Sequence, residues 1–133
     1  MNPAENTKAA TSIFPISVTV DTLGVVVDCT GFGEGFLIAS MGAAAAGGGG
    51  EFELHNAVTS GGSYAIVTGQ ETATFADTDD GSIKMGRFRP DPARPFYKVN
   101  FDITGAFATV ICASIILSET PQKRPINTLD FSA

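Results

Sequence analysis

Apolar side chains between Ser12 and Ser118 recur at every second position in eight or nine short runs broken by glycine-rich turns, and nowhere at the spacing of an amphipathic helix. A period of two sends alternate side chains to opposite faces of an extended strand, so this pattern commits the chain to sheet. Glu51-Phe52-Glu53-Leu54-His55 is the cleanest case: it turns Phe52 and Leu54 inward and leaves both glutamates and His55 outward. Phe96 to Ile103 alternates in the same way, with Tyr97, Val99, Phe101 and Ile103 opposed to Lys98, Asn100 and Asp102. Ser12 to Val20 places Ile16, Val18 and Val20 on one face, and Pro15 marks this run as an edge strand or a strand start. Leu23 to Thr30, Gly35 to Met41, Ser63 to Val67, Thr72 to Phe75 and Ser82 to Phe88 supply further runs, with turns at Gly31 to Gly35, Gly61-Gly62 and Asp77 to Gly81.

A chain of 133 residues, 44% of them hydrophobic, can bury a core as one domain without a disulfide or a metal. Ten Phe, no Trp and fifteen Gly suit an all-β, antiparallel β-sandwich turned by glycines, which the runs place at residues 12–118. Residues 1–11 are small and polar and read as a flexible N-terminal arm. Ala43 to Gly50 carries no side chain larger than a methyl, and four successive glycines cannot hold a helix, so it reads as a flexible loop. The last strand, Phe107 to Leu117, is apolar on both parities. Both its faces are therefore expected to be covered, one by the core and the other by a second subunit. Beyond it, residues 119–133 form an extended C-terminal arm: Pro121 and Pro125 exclude regular sheet, while Ile126, Leu129 and Phe131 are anchors for a partner surface. The alternative for this segment is an ordinary frayed end.

A net charge of −6 argues against a phosphate-backbone partner, so no nucleic acid is expected. No stretch approaches the length of a membrane span, and Met1 to Asn6 lacks the basic and apolar regions of a signal peptide. These features lead to the expectation of no membrane partner and a reducing cytosol as the place of synthesis. Cys29 and Cys112 lie inside apolar runs and read as buried free thiols, with a disulfide as the alternative if their strands are neighbours.

Catalytic patterns are hard to assemble from these residues. His55 is the single histidine and faces outward, leaving a Ser or Cys nucleophile with no better base. Asp77-x-Asp79-x-Gly81 resembles the front of a calcium loop, but Lys84 to Arg87 stand where the closing Glu should follow, so it reads as a turn. The Gly31, Gly33, Gly35 series and the Gly47 to Gly50 tract lack the Lys-Ser/Thr or the helix that phosphate binding needs. Glu34, Glu51, Glu53 and Glu71 could meet as paired carboxylates or form a solvated face. The expectation is a non-enzymatic protein with no catalytic residues, no cofactor and no metal. Lys84, Arg87, Arg89, Arg94 and Lys98, by contrast, gather five of the eight basic residues within fifteen positions. Arg87, Arg89 and Arg94 are thus candidates for docking on an acidic protein surface, the alternative being pairing with Asp77, Asp79, Asp80 and Asp91.

The order of several loose motifs resembles the capsid decoration, or cement, proteins of tailed bacteriophages. Asp28 and the turn Gly33-Glu34-Gly35-Phe36 come first, then Glu51-Phe52-Glu53-Leu54-His55-Asn56, Thr72-Ala73-Thr74-Phe75, Arg94-Pro95-Phe96-Tyr97-Lys98-Val99, and the apolar strand closing on a basic, Pro-containing tail from Ile115 to Pro125. The resemblance covers about residues 15–126; the Ala-Gly tract and a weaker Ser/Asp run after Glu53 depart from it. It implies a jelly-roll-like sandwich with extended arms that cements an icosahedral capsid as homotrimers at three-fold positions. It further implies the major capsid protein as partner, the virion capsid surface as location, and no catalytic residues. The alternatives are a phage tail or head–tail connector component, or a small carbohydrate-binding or hydrolytic β-sandwich. The last would need aromatics to stack on sugar faces, and only Tyr64, Tyr97 and no Trp are present for that.

Overall fold

The computed structural model describes residues 7–67, 73–105 and 107–118. Alternation becomes ten strands: β1 (Thr7–Val18), β2 (Thr22–Leu23), β3 (Val27–Asp28), β4 (Glu34–Ala44), β5 (Gly49–Ala57), β6 (Ala65–Ile66), β7 (Ala73–Ala76), β8 (Ser82–Phe88), β9 (Phe96–Ile103) and β10 (Thr109–Ser118). One sheet runs β1-β10-β4-β8; the other runs β2-β9-β5-β6, with β3 also on β9 and β7 also on β5. Every pairing is antiparallel. Strands from the two halves of the chain interleave in both sheets, which is the wrapping of a jelly roll.

The sheets meet through the inward parities. Ile13, Leu37, Met41, Ile111, Ile115 and Leu117 from the first sheet face Phe52, Leu54, Phe75, Tyr97, Val99 and Phe101 from the second. Phe52 sits at the centre of an aromatic cluster, edge-on to Phe75 at 5.5 Å and tilted against Phe101 at 4.8 Å. β5 and β9 follow the expected faces.

Three expectations need correction. Residues 7–11 belong to β1 rather than to an arm, because Thr7 to Thr11 pair with Ser118 to Ser114 of β10. The face of Ser12 to Val20 is also not the one the alternation suggests. Register shifts between Thr11 and Ile13 and between Ile13 and Ile16 bury Ser12 and Ile13 and leave Phe14, Ile16 and Val20 exposed. Ser12 is buried because it is useful there: its Oγ donates to the Val25 carbonyl at 2.8 Å and accepts the Val99 amide at 3.0 Å, tying β1 to the opposite sheet. Finally, half of the Ala-Gly tract is strand, its two ends belonging to β4 and β5, and residues 45–48 connect them. Gly49 has φ +100°, and a Cβ on Gly50 would lie 2.5 Å from the Phe101 ring, so close approach to the neighbouring strands of the same sheet requires these glycines.

β10 divides by parity. Ile111, Ala113, Ile115 and Leu117 are buried in the core, whereas Val110 is exposed and Cys112, Ser114 and Ile116 are half-buried on the outer face. Cys29 and Cys112 are both free thiols. The segment 119–133, and with it Ile126, Leu129 and Phe131, lies outside the described residues, as do residues 1–6 and Thr72.

Truncating the aromatic hub tests this packing. Phe52→Ala should lower unfolding free energy by about 3–5 kcal/mol in urea titrations. A loss under about 1 kcal/mol would mean that Phe52 is not at the centre of the core.

Candidate docking surface

Strand register assembles an apolar face on the outside of the first sheet. Phe36 lies opposite Ile116 on one side and Arg87 on the other; Ile38 lies between Ser114 and Met85, and Ser40 between Cys112 and Ile83. Ala9 of β1 continues the row beside Ile116. Directly opposed residues share a face, so Phe36, Ile38, Ile83, Met85 and Ile116 form one patch across three strands. Ile83 and Met85 are 69% and 67% exposed. A contiguous apolar patch of this kind makes the face a candidate interaction surface. At its rim Arg87 pairs with Glu34, a residue only 7% exposed, so the ion pair compensates a carboxylate at the patch margin. The sequence carried a signal for this face that the reading above missed: in β8 the parity holding Ile83 and Met85 is the apolar one, while Lys84 and Gly86 lie on the parity facing in.

The end of the sandwich near Ser118 holds a second feature. The proline-rich connector from Arg89 to Pro95 crosses between the sheets there, and a pocket of about 490 Å³ lies against it, walled by Ile66, Val67 and Tyr97 and lined by Arg89 and Arg94. Arg94 is held in place: its Nε donates to Oδ1 of the buried Asn56 at 2.8 Å and its Nη2 to the Asn56 carbonyl at 2.9 Å. The Tyr97 hydroxyl accepts the Asp91 amide at 2.8 Å, and the Asn56 Nδ2 reaches it at 3.4 Å. The connector is thus fastened to β5 and β9.

The three arginines singled out in the sequence therefore separate. Arg87 joins the outer apolar face, and Arg89 and Arg94 share the pocket. Pairing with the nearby aspartates does not occur among the described residues, where Arg87 pairs with Glu34. The aspartates build turns: Asp77 accepts the Gly47 amide at 2.6 Å, Asp79 the Ala76 amide at 2.7 Å, and Asp80 the Ala44 amide at 3.2 Å.

On the outer face of the second sheet, His55 is half-buried rather than fully outward, with Nε2 3.2 Å from Glu53 Oε1. Glu34 lies in the first sheet, apart from Glu51 and Glu53, which share the outer face of the second, and Glu71 is outside the described residues. Tyr64 is covered by Lys98, whose Nζ stands 4.4 Å from its ring centroid. Asp28 holds its turn by accepting both the Thr30 hydroxyl at 2.6 Å and the Thr30 amide at 3.0 Å, which lowers its pKa. Burial pushes the Cys29 thiol up to about 12.

No protein family and no curated protein matches this sequence. Among solved structures, the chain is similar to the SPBc2 prophage-derived protein YomS, with TM-score 0.50 and 13% identity over 84% of this chain and 95% of that one. Infectious bursal disease virus Gx strain gives TM-score 0.47 and 11% identity over 85% of this chain, which spans 32% of the length of that one. The Yersinia pseudotuberculosis-derived mitogen gives TM-score 0.43 and 13% identity, covering 88% and 90%. At such identities the likeness is one of fold.

The two thiols should differ in chemistry. At pH 8 iodoacetamide should modify half-buried Cys112 well before Cys29, as read by mass spectrometry, because Cys29 is both buried and held as the neutral thiol. The raised pKa also sets a sign: the neutral Cys29 favours the fold below the thiol's ordinary value, and this contribution is lost as pH rises from there toward 12. Equal alkylation rates in the native protein would contradict this.

Proposed function

We propose that this chain is a structural virion protein that decorates and cements an icosahedral phage capsid, binding the major capsid protein as homotrimers at three-fold positions. The observation that carries this reading is the outer face of the first sheet, where Phe36, Ile38, Ile83, Met85 and Ile116 form an apolar patch on a rigid jelly roll. The fold shared with a prophage-derived protein and the order of motifs from Asp28 to Pro125 support the same class. In this reading the protein is made in the host cytoplasm, ends on the capsid surface, and performs no catalysis. Self-association would cover the patch around Met85, leaving Arg89, Arg94 and the segment carrying Ile126, Leu129 and Phe131 for the shell.

Such a subunit acts by mass action. Each copy that binds the assembled lattice and not its dissociated parts adds binding free energy to the assembled state, and many copies compound the effect. Particles lacking the protein should release their genome at a lower temperature than complete particles. Equal thermal and mechanical resistance with and without it would contradict cementing.

The oligomer can be tested separately. Light scattering of the isolated protein should give a trimer at micromolar concentration, and Met85→Asp, at an exposed position, should yield folded monomers. A wild-type monomer at that concentration would remove the subunit face from the proposal.

A further inference from the structure

The pocket at the connector gathers more hydrogen-bond donors than its own residues satisfy. Arg94 is anchored to Asn56, a residue only 7% exposed, through the edge carrying Nε and Nη2, so its guanidinium is held in one orientation with Nη1 and the second Nη2 hydrogen unspent. Arg89 lines the same pocket, is exposed, and makes no hydrogen bond or ion pair among the described residues. The third donor is the Tyr97 hydroxyl. Tyr97 is 1% exposed, and its oxygen accepts from the Asp91 amide and from Asn56 Nδ2, which leaves its own hydrogen without an acceptor among the described residues. Asp91 lines the pocket too, but it pairs with neither arginine and spends Oδ1 on the Ala93 amide at 2.9 Å. Ile66, 49% exposed, and Val67 make the wall beside these donors apolar.

We infer that this pocket is a binding site for a single carboxylate, carried beside an apolar side chain on an acidic segment of the shell partner. The inference deepens the shell-protein reading above and rests on it for the source of the carboxylate. A carboxylate has the two acceptor oxygens that a planar guanidinium edge matches, and a guanidinium already fixed by Asn56 loses little freedom on binding one. A phosphate would bring a second charge toward Asp91 in a chain of net charge −6, and it has no apolar part to place against Ile66. A neutral amide would leave both guanidinium charges uncompensated. The location also separates this site from self-association. The pocket is built on β5, β6, β9 and the connector, whereas the apolar patch lies on the outer face of the other sheet, so a contact made through Met85 does not use the pocket.

Isotope-labelled full-length protein tests the site itself, with N-acetyl-leucyl-aspartyl amide as the probe and its asparaginyl counterpart and inorganic phosphate as controls. The aspartyl probe should move the Arg94 Nε–Hε resonance and the Ile66 and Val67 methyl signals saturably, and both controls should bind roughly tenfold more weakly. Arg89→Gln, at an exposed position, should weaken the aspartyl probe by roughly tenfold, the loss expected for one charge-assisted hydrogen bond, with the β9 shifts in place. Absence of saturable shifts, equal binding of the asparaginyl probe, or tighter binding of phosphate would overturn the site. The source is tested on particles stripped of the protein: Arg89→Gln should rebind them more weakly than wild type while staying trimeric. Undiminished rebinding, or loss of the trimer, which would put the carboxylate on a second copy, would overturn the assignment to the shell. Wild-type protein that takes the aspartyl probe but rebinds no particle would contradict the shell reading, and with it the source, while the site stands.

Discussion

The structure depends on β10 being paired along both edges. The strand lies between β1 and β4, so the first and last described segments of the chain close on each other with a third segment beside them. Neither pairing is local, and both need the inward row Ile111, Ala113, Ile115 and Leu117 to sit under the aromatic cluster of the second sheet. Loop-closure entropy is spent before these contacts form, so the core must supply the return. Phe52, Phe75 and Phe101 supply it on the opposite wall, and Ser12 bridges the sheets with two hydrogen bonds.

That same pairing creates the apolar outer face of the first sheet. Once the odd parity of β10 fills the core, its even parity must face outward, and the register brings Phe36, Ile38, Met85 and Ile83 alongside it. The rim pair Arg87–Glu34 then gives the face a charged margin, which supplies orientation more than affinity.

Sequence reading succeeded where burial and period coincide. β5 and β9 alternate strictly because one side of each faces the core and the other does not, so Phe52, Tyr97, Val99 and Phe101 were legible as core. It failed where tertiary geometry overrides the period. The shifts in β1 turn Ile16 and Val20 outward and bury a serine, which no alternation can foretell. Gly49 and Gly50 read locally as flexibility, whereas Phe75 and Phe101 occupy the space that side chains there would need. Proximity in sequence also misled: Arg87 is on a strand and Arg89 on the connector two residues later, and this places them in different surroundings. Ile83 and Met85 were visible as an apolar parity, but the choice between inward and outward needed Lys84, stacked on the Phe75 ring at 4.9 Å, to be recognised as the inward residue.

The central claim is that the outer face of the first sheet is an assembly surface of a shell protein. Electron microscopy of the source particle tests it most directly. The account predicts three-fold clusters of this jelly roll on the capsid, with Phe36, Ile38, Met85 and Ile116 buried between subunits. Particles whose capsids lack the protein, or that carry it with this face open to solvent, would contradict it.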